Sequence, residues 1–210
     1  MGIRVWHYKE RKGGVKALEL SRSFLHREIA LDRTASRVIG LCCFTILTAL
    51  GAYVRIPLPF TPVPITLQTF FVLLSGAVLG KKWGALSQLS YLLLGIMGLP
   101  VFTGTGAGLS YLFGPTGGYL LGFVAASWIV GSALERRSAN NTSRITLAIL
   151  SGSLAGIYLF GISGLRLFLQ CNFSKAVALG FLPFIPGDII KIISAVFIYG
   201  KIQKRCLELF

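Results

Sequence analysis

Asp188 and Lys191 stand three residues apart inside a long apolar segment that begins at Pro183 and runs to Tyr199. On a helix that spacing puts both on one face. A charge at a bilayer centre costs about 2.5 to 3.5 kcal/mol even on the lenient insertion scale, so an opposite-sign pair kept there lines a cavity or a solute path. The bland alternative is a mutual ion pair at a helix contact. Two further segments carry polar chemistry. Arg55-Ile-Pro-Leu-Pro-Phe-Thr-Pro-Val-Pro-Ile-Thr-Leu-Gln68 holds prolines at 57, 59, 62 and 64, which fix φ and remove backbone donors, so a stiff extended lid is expected. Thr66 and Gln68 follow at its end, Gln68 suited either to a helix–helix hydrogen bond or to a ligand. The glycine-rich stretch from Leu99 to Tyr119 is uncharged and can bring backbone groups close to a small solute. Its Phe102, Tyr111 and Phe113, with Tyr119, suit either an apolar ring pocket or an interfacial aromatic belt.

The elements that must position these residues are membrane helices. The chain has 210 residues, 54% hydrophobic and 13% charged, with a mean hydropathy of +0.72, the composition of a polytopic membrane protein. Six apolar stretches follow a polar start: about 37–54, 64–79, 83–97, 117–134, 145–169 and 186–200. Each is near the ~20 residues that span a hydrocarbon core. Gly80-Lys81-Lys82 makes a tight turn between the second and third, which become antiparallel neighbours. Small residues at Thr45/Ala49, Thr48/Ala52 and Gly152, Gly156 and Gly164 permit close packing, within the chain or against another membrane subunit, a second copy included.

The formal charge of +14 is confined to particular connecting segments. With the N-terminus inside, the inner segments hold the basic arm, Lys81-Lys82, Arg136-Arg137-Arg144 and Lys201, Lys204 and Arg205; the outer ones keep Arg55, Arg166 and Lys175. The expectation is an all-α fold of six transmembrane helices with both termini cytoplasmic. Residues 1–35 then form a basic cytoplasmic extension, 36–203 the membrane domain and 204–210 a short cytoplasmic tail. This distribution speaks for a lipid bilayer as partner and against nucleic acid. Asp188 and Lys191 fall in the outer half of the membrane, at a helix start marked by Pro183, Pro186 and Gly187.

Several chemistries find no equipment. Cys42, Cys43, Cys171 and Cys206 show neither disulfide nor zinc spacing and read as packing residues. Both histidines, His7 and His26, lie in the arm, no nucleophile or metal cluster stands in the spans, and no Walker motif is present. Gly104-Thr-Gly-Ala-Gly108 lacks the context of a nucleotide loop. The sequon at Asn140-Asn141-Thr142-Ser143 lies on the expected inner side and is discarded. No enzyme, metal or cofactor is therefore expected.

Taken together, Arg55 to Thr69, Gly98-Leu-Pro-Val-Phe102, Gly114-Pro-Thr-Gly-Gly-Tyr119 and Pro186-Gly-Asp-Ile-Ile-Lys191 resemble BioY, the family of biotin-binding S components of energy-coupling-factor (ECF) transporters, over about residues 37–201. The resemblance implies high-affinity biotin binding and uptake at the bacterial cytoplasmic (inner) membrane, with an ECF coupling membrane protein and ATPase subunits as partners. The family's Asp-x-x-Lys falls on Asp188 and Lys191. Substrate contacts are expected from Asp188, Lys191, Gln68, Thr103, Gly104, Ser110, Tyr111, Thr116 and Gly117, with Lys191 on the carboxylate, Asp188 on a ureido N–H or orienting Lys191, and Gln68, Ser110 and Thr116 on the remaining polar edges. The alanine-x-x-x-alanine contact that S components use in helix one to dock the coupling subunit is only approximated by Thr45/Ala49 and Thr48/Ala52. An ion-coupled secondary carrier for biotin or another small carboxylate vitamin is the alternative, with Asp188 as its relay.

Overall fold

The computed structural model of the protein describes residues 33–135 and 141–209. The basic arm before residue 33, with Arg136, Arg137 and Asn140, lies outside them. Four helical runs among the described residues are long and apolar enough to cross a membrane: Arg33–Tyr53, Gly117–Glu135, Thr142–Leu169 and Phe173–Lys204. The first is α1. A ribbon of β1 (Arg55–Ile56) and β2 (Ile65–Thr66) leads to α2 (Gln68–Ile96). The glycine-rich loop, with a 3-10 turn at Leu109–Phe113, leads to α3 (Gly117–Glu135). After α4 (Thr142–Ser151) a π-helical stretch, Gly152–Tyr158, runs into α5 (Leu159–Leu169). The short α6 (Phe173–Gly180) and a 3-10 turn precede α7 (Ile185–Leu209).

α2 is a hairpin of two helical arms. Gly80 breaks it with φ 76°, ψ 179°, a conformation that glycine adopts without Cβ strain. Gln68 Nε2 donates to the Tyr91 hydroxyl at 2.6 Å, although the two lie 23 residues apart, so the arms must run antiparallel. Gln88 Nε2 donates to Ser75 Oγ at 3.1 Å farther along the same seam. The expected tight turn is where the lysines placed it. The second stretch starts later than the sequence suggests, because Ile65 and Thr66 pair with Ile56 and Arg55 in the ribbon and the helix begins only at Gln68. At the other end of the chain, α7 continues through Leu209, so residues 204–209 extend that helix.

α3 stands centrally, against both the α2 hairpin and the α4–α5 run. Buried polar groups fix the seams: Ser75 Oγ of α2 and Ser127 Oγ of α3 share a hydrogen bond of 2.9 Å, and Thr48 of α1 lies 3.3 Å from Gln88 of α2. Thr45 donates to the Ser87 carbonyl at 3.0 Å, so Thr45, Thr48 and the buried Ala52 pack inside this chain. Such bonds hold helices together where lipid supplies no hydrophobic drive. The opposite face of α1, with Ile39, Ile46, Leu50 and Tyr53, is exposed.

The two ends of the bundle differ in chemistry. At one, Lys81 Nζ pairs with Glu135 at 3.0 Å, Arg144 donates to the Ala133 carbonyl at 2.8 Å, and Tyr199 and Cys206 of α7 border a cavity beside Gly80. At the other lie the proline ribbon, the glycine loop and α6. Asn172 caps α6 by accepting from Lys175 N at 2.9 Å, and Asn141 caps α4 by accepting from Ser143 N at 3.0 Å, each meeting donors that a helix start leaves open.

Candidate functional site

The start of α7 delivers the charged pair. Pro183 in the 3-10 turn and Pro186 in the first helical turn occupy positions whose N–H would have no intrahelical acceptor. One turn on, Lys191 Nζ donates to Asp188 Oδ1 at 3.0 Å. Both side chains are nearly covered, 11% exposed for Lys191 and 12% for Asp188. Lys191 Nζ also donates to Thr69 Oγ1 of α2 at 3.0 Å, and the Tyr158 hydroxyl donates to Asp188 Oδ2. Each charge therefore has an opposite partner and a neutral one. That satisfies a pair whose desolvation would otherwise exceed its attraction.

Tyr158 reaches Asp188 because of the π-helical stretch. An α-helix advances about 100° per residue, whereas the wider turns of this segment leave the consecutive residues Gly156, Ile157 and Tyr158 all buried. Gly156 takes the close approach to α3, where a Cβ would lie 2.3 Å from Ala126 Cα. Ile157 and Tyr158 face the cavity, which measures about 50 Å³ and is bounded by the charged pair, Gln68, Thr69 and the rings of Tyr119, Phe123 and Phe184. Tyr119 is held by its hydroxyl, which donates to the Gly180 carbonyl at 2.7 Å.

Gln68 forms the opposite polar wall. Its Oε1 accepts from Thr103 Oγ1 at 3.0 Å and Thr66 Oγ1 at 3.4 Å, and Tyr91 takes one of its two amide N–H groups. Both roles open to Gln68 in the sequence are compatible with this placement, since it bonds between helices and also lines the cavity. The loop above is pinned by Phe102. This ring is fully buried, stacked on Tyr111 at 5.0 Å between centroids and set over Gly95, where a Cβ would come within 2.1 Å of it.

Of the nine residues singled out in the sequence, Asp188, Lys191, Gln68, Thr103 and Thr116 converge on this cavity. Tyr111 lines an adjoining outer cavity instead. Ser110 and Gly104 lie exposed on the loop and border neither, and Gly117 is buried under the Leu112 carbonyl at the start of α3. Phe113 points outward, 77% exposed. Tyr158, Thr69 and Phe184 were not anticipated. Thr69 stood in the quoted stretch next to Gln68; a lone tyrosine in an apolar span gave no comparable signal. No cluster of metal-ligating side chains occurs among the described residues.

A helical bundle with four membrane-length runs and a partly enclosed cavity holding a buried ion pair defines a membrane solute-binding protein. The chain belongs to the BioY family, whose model matches residues 25–208. It is 42% identical over 168 residues to "Biotin transporter BioY" of Thermotoga maritima, covering 79% of this chain and 94% of that one. To "Probable biotin transporter BioY" of Pyrococcus horikoshii it is 43% identical over 169 residues, covering 80% and 97%. Among solved structures, the 2.1 Å crystal structure of the S-component for biotin from an ECF-type ABC transporter aligns with a TM-score of 0.77 at 27% identity, over 82% of this chain and 93% of that one.

Proposed function

We propose that the chain binds biotin with high affinity and serves as the substrate-specific component of its uptake across the bacterial cytoplasmic membrane. The observation that carries this reading is the buried Asp188–Lys191 pair in a cavity walled by aromatic rings. Biotin joins an apolar bicycle to a ureido group with two donors and one acceptor, and to a carboxylate. A cavity whose few polar groups include an anion, a cation and an amide suits such a solute. The names of the BioY relatives and of the S-component structure support the same assignment.

In this reading the chain crosses the membrane six times: α1, the two arms of α2, α3, the α4–α5 run and α7. Both termini are cytoplasmic, with the Lys81–Glu135 end inside and the cavity toward the outside. Residues 36–203 make the substrate-binding domain, preceded by the basic extension of 1–35 and followed by the tail of 204–210. The chain carries no ATPase motif, so concentrative uptake draws on an ECF coupling membrane protein and its ATPase subunits.

Equilibrium binding of labelled biotin to the purified chain tests the proposal. Saturable binding of one biotin per chain is the expected result, and a folded chain without saturable binding would overturn it. In proteoliposomes, accumulation should require the ATPase partners. Accumulation by this chain alone under an imposed proton gradient would favour an ion-coupled carrier instead.

A further inference from the structure

The short α6 meets the cavity walls through its last residues. The Gly180 carbonyl accepts from the Tyr119 hydroxyl at 2.7 Å, and the Phe181 ring stands edge-on to Tyr158 with centroids 4.7 Å apart. A Cβ at Gly180 would strike that hydroxyl, so the end of α6 sits as close as its backbone allows. Tyr119 and Tyr158 both line the cavity, and Tyr158 is the donor to Asp188. The seating of α6 therefore decides where two cavity walls stand. Its own hold is slight. It has eight residues, of which Ala176 and Gly180 are buried, and a helix below ~12–15 residues is marginal by itself.

The rest of the corner between α5 and α6 faces away from the protein. Leu167, Phe168, Phe173 and Leu182 are exposed there, and so are Arg166 and Lys175. Neither cation has an ion-pair partner among the described residues, whose acids are Glu135 on Lys81, Asp188 on Lys191, and Glu208 at the far end of α7. Large apolar side chains beside uncompensated cations, at the level where a membrane span ends, are the make-up of an interfacial element: the rings and leucines enter the acyl layer and the cations meet phosphates. A second copy seated on this patch by two-fold symmetry would bring the same cations face to face. An anionic lipid has the opposite charge and the acyl chains that both halves of the patch call for. We propose that the α5–α6 corner seats on the headgroup of an anionic phospholipid through Arg166 and Lys175, and that this seat, passed on by Gly180 and Phe181 to Tyr119 and Tyr158, raises the affinity for biotin. The effect on affinity rests on the biotin reading above; the lipid seat does not.

The test measures biotin affinity and melting temperature of the full chain in nanodiscs holding one copy each, made of phosphatidylcholine alone or of phosphatidylcholine mixed with phosphatidylglycerol. A single copy per disc leaves no second chain to cover the patch. Two cations near an anionic surface bound the effect at roughly 30-fold, and the mixed membrane should tighten biotin roughly 3- to 10-fold within that bound. Attraction of biotin to the surface cannot produce this, since biotin and phosphatidylglycerol are both anions. Arg166→Gln with Lys175→Gln should abolish the gain and leave affinity in phosphatidylcholine within about twofold of wild type. Lys201→Gln with Lys204→Gln, at the other end of the bundle, should keep the gain. Tyr119→Phe, which removes the hydroxyl bonded to Gly180, should shrink it. By linkage, saturating biotin should raise phosphatidylglycerol retention by the same factor. No gain in the wild type, a gain that survives in the Arg166/Lys175 double variant, or one lost equally in the Lys201/Lys204 double variant would each overturn the proposal. A chain that binds biotin in neither membrane, but whose melting temperature phosphatidylglycerol raises in the wild type and not in the Arg166/Lys175 double variant, would overturn the biotin reading and leave the lipid seat standing.

Discussion

Asp188 is the residue on which the cavity depends, and its neighbours act on it from three elements: Lys191 from α7, Tyr158 from the π-helical stretch and, through Lys191, Thr69 from α2. A hydrogen bond to a charged group contributes about 1.5–3 kcal/mol, so Tyr158→Phe should weaken biotin by roughly 10- to 150-fold. Asp188→Asn removes the charge that this hydroxyl serves. If Tyr158 works through Asp188, the double variant loses little more affinity than the worse single variant, and binding measured on all four proteins of the cycle reads the coupling. Strict additivity would show that Tyr158 acts on its own. Removing Lys191 alone leaves a buried carboxylate without its ion partner, and breaking such a pair costs about 3–5 kcal/mol. A lower melting temperature of Lys191→Ala in detergent should therefore accompany its loss of binding. The charged pair was legible in the sequence because charge in an apolar run is expensive wherever it faces. Tyr158 was not, because nothing in a span of hydrophobic letters marks which tyrosine turns inward. That Ser110 and Gly104 border neither cavity was not legible for a related reason: backbone at positive φ, as at Gly104 and Thr105, sets the path of the loop in a way that composition does not record.

Among the elements, the hairpin of α2 could be read from Gly80-Lys81-Lys82, since a span cannot bury two adjacent lysines and glycine lets the chain reverse. α6 and the π-helical stretch could not. The first is only eight residues long, and the second differs from an ordinary helix by hydrogen-bond register alone. That register makes a sharp prediction. Deleting the exposed Leu154 should let Gly152–Tyr158 relax to α-helix, turning Tyr158 relative to Gly156 and α3 by a sizeable fraction of the ~100° that separates neighbouring residues. Biotin binding should fall at least as far as in Tyr158→Phe while the bundle persists, which circular dichroism and binding measured together would show. Gly156→Ala tests the facing contact. The added methyl would lie 2.3 Å from Ala126 Cα, and overpacking of this kind costs about 1–3 kcal/mol, read as a lower melting temperature.

At the scale of the whole molecule, orientation decides what the cavity can do. A reporter fused after Leu134 should prove cytoplasmic and one between Phe102 and Gly114 external, since Lys81, Lys82 and Arg144 sit at the end opposite the glycine loop. Reversal of both would put the cavity on the wrong side for uptake from outside. The positive-inside pattern supplies an expectation for this axis without coordinates; how the proline and glycine loops close over the bundle was not legible, because it depends on contacts between distant segments, such as the Tyr53 hydroxyl on the Pro100 carbonyl at 2.6 Å. The ribbon at that end of the bundle has a mechanical consequence. Arg55 pairs across it with Thr66, and Thr66 donates to Gln68 in the wall of the cavity, so one stiff, proline-braced strut ties the ribbon to that wall. A displacement of the ribbon would be carried along that tie to the polar wall of the cavity. The ribbon then works as a tie rod, and Thr66→Val, which cuts the tie at Gln68 without touching the charged pair, should speed the dissociation of biotin measured on the purified chain.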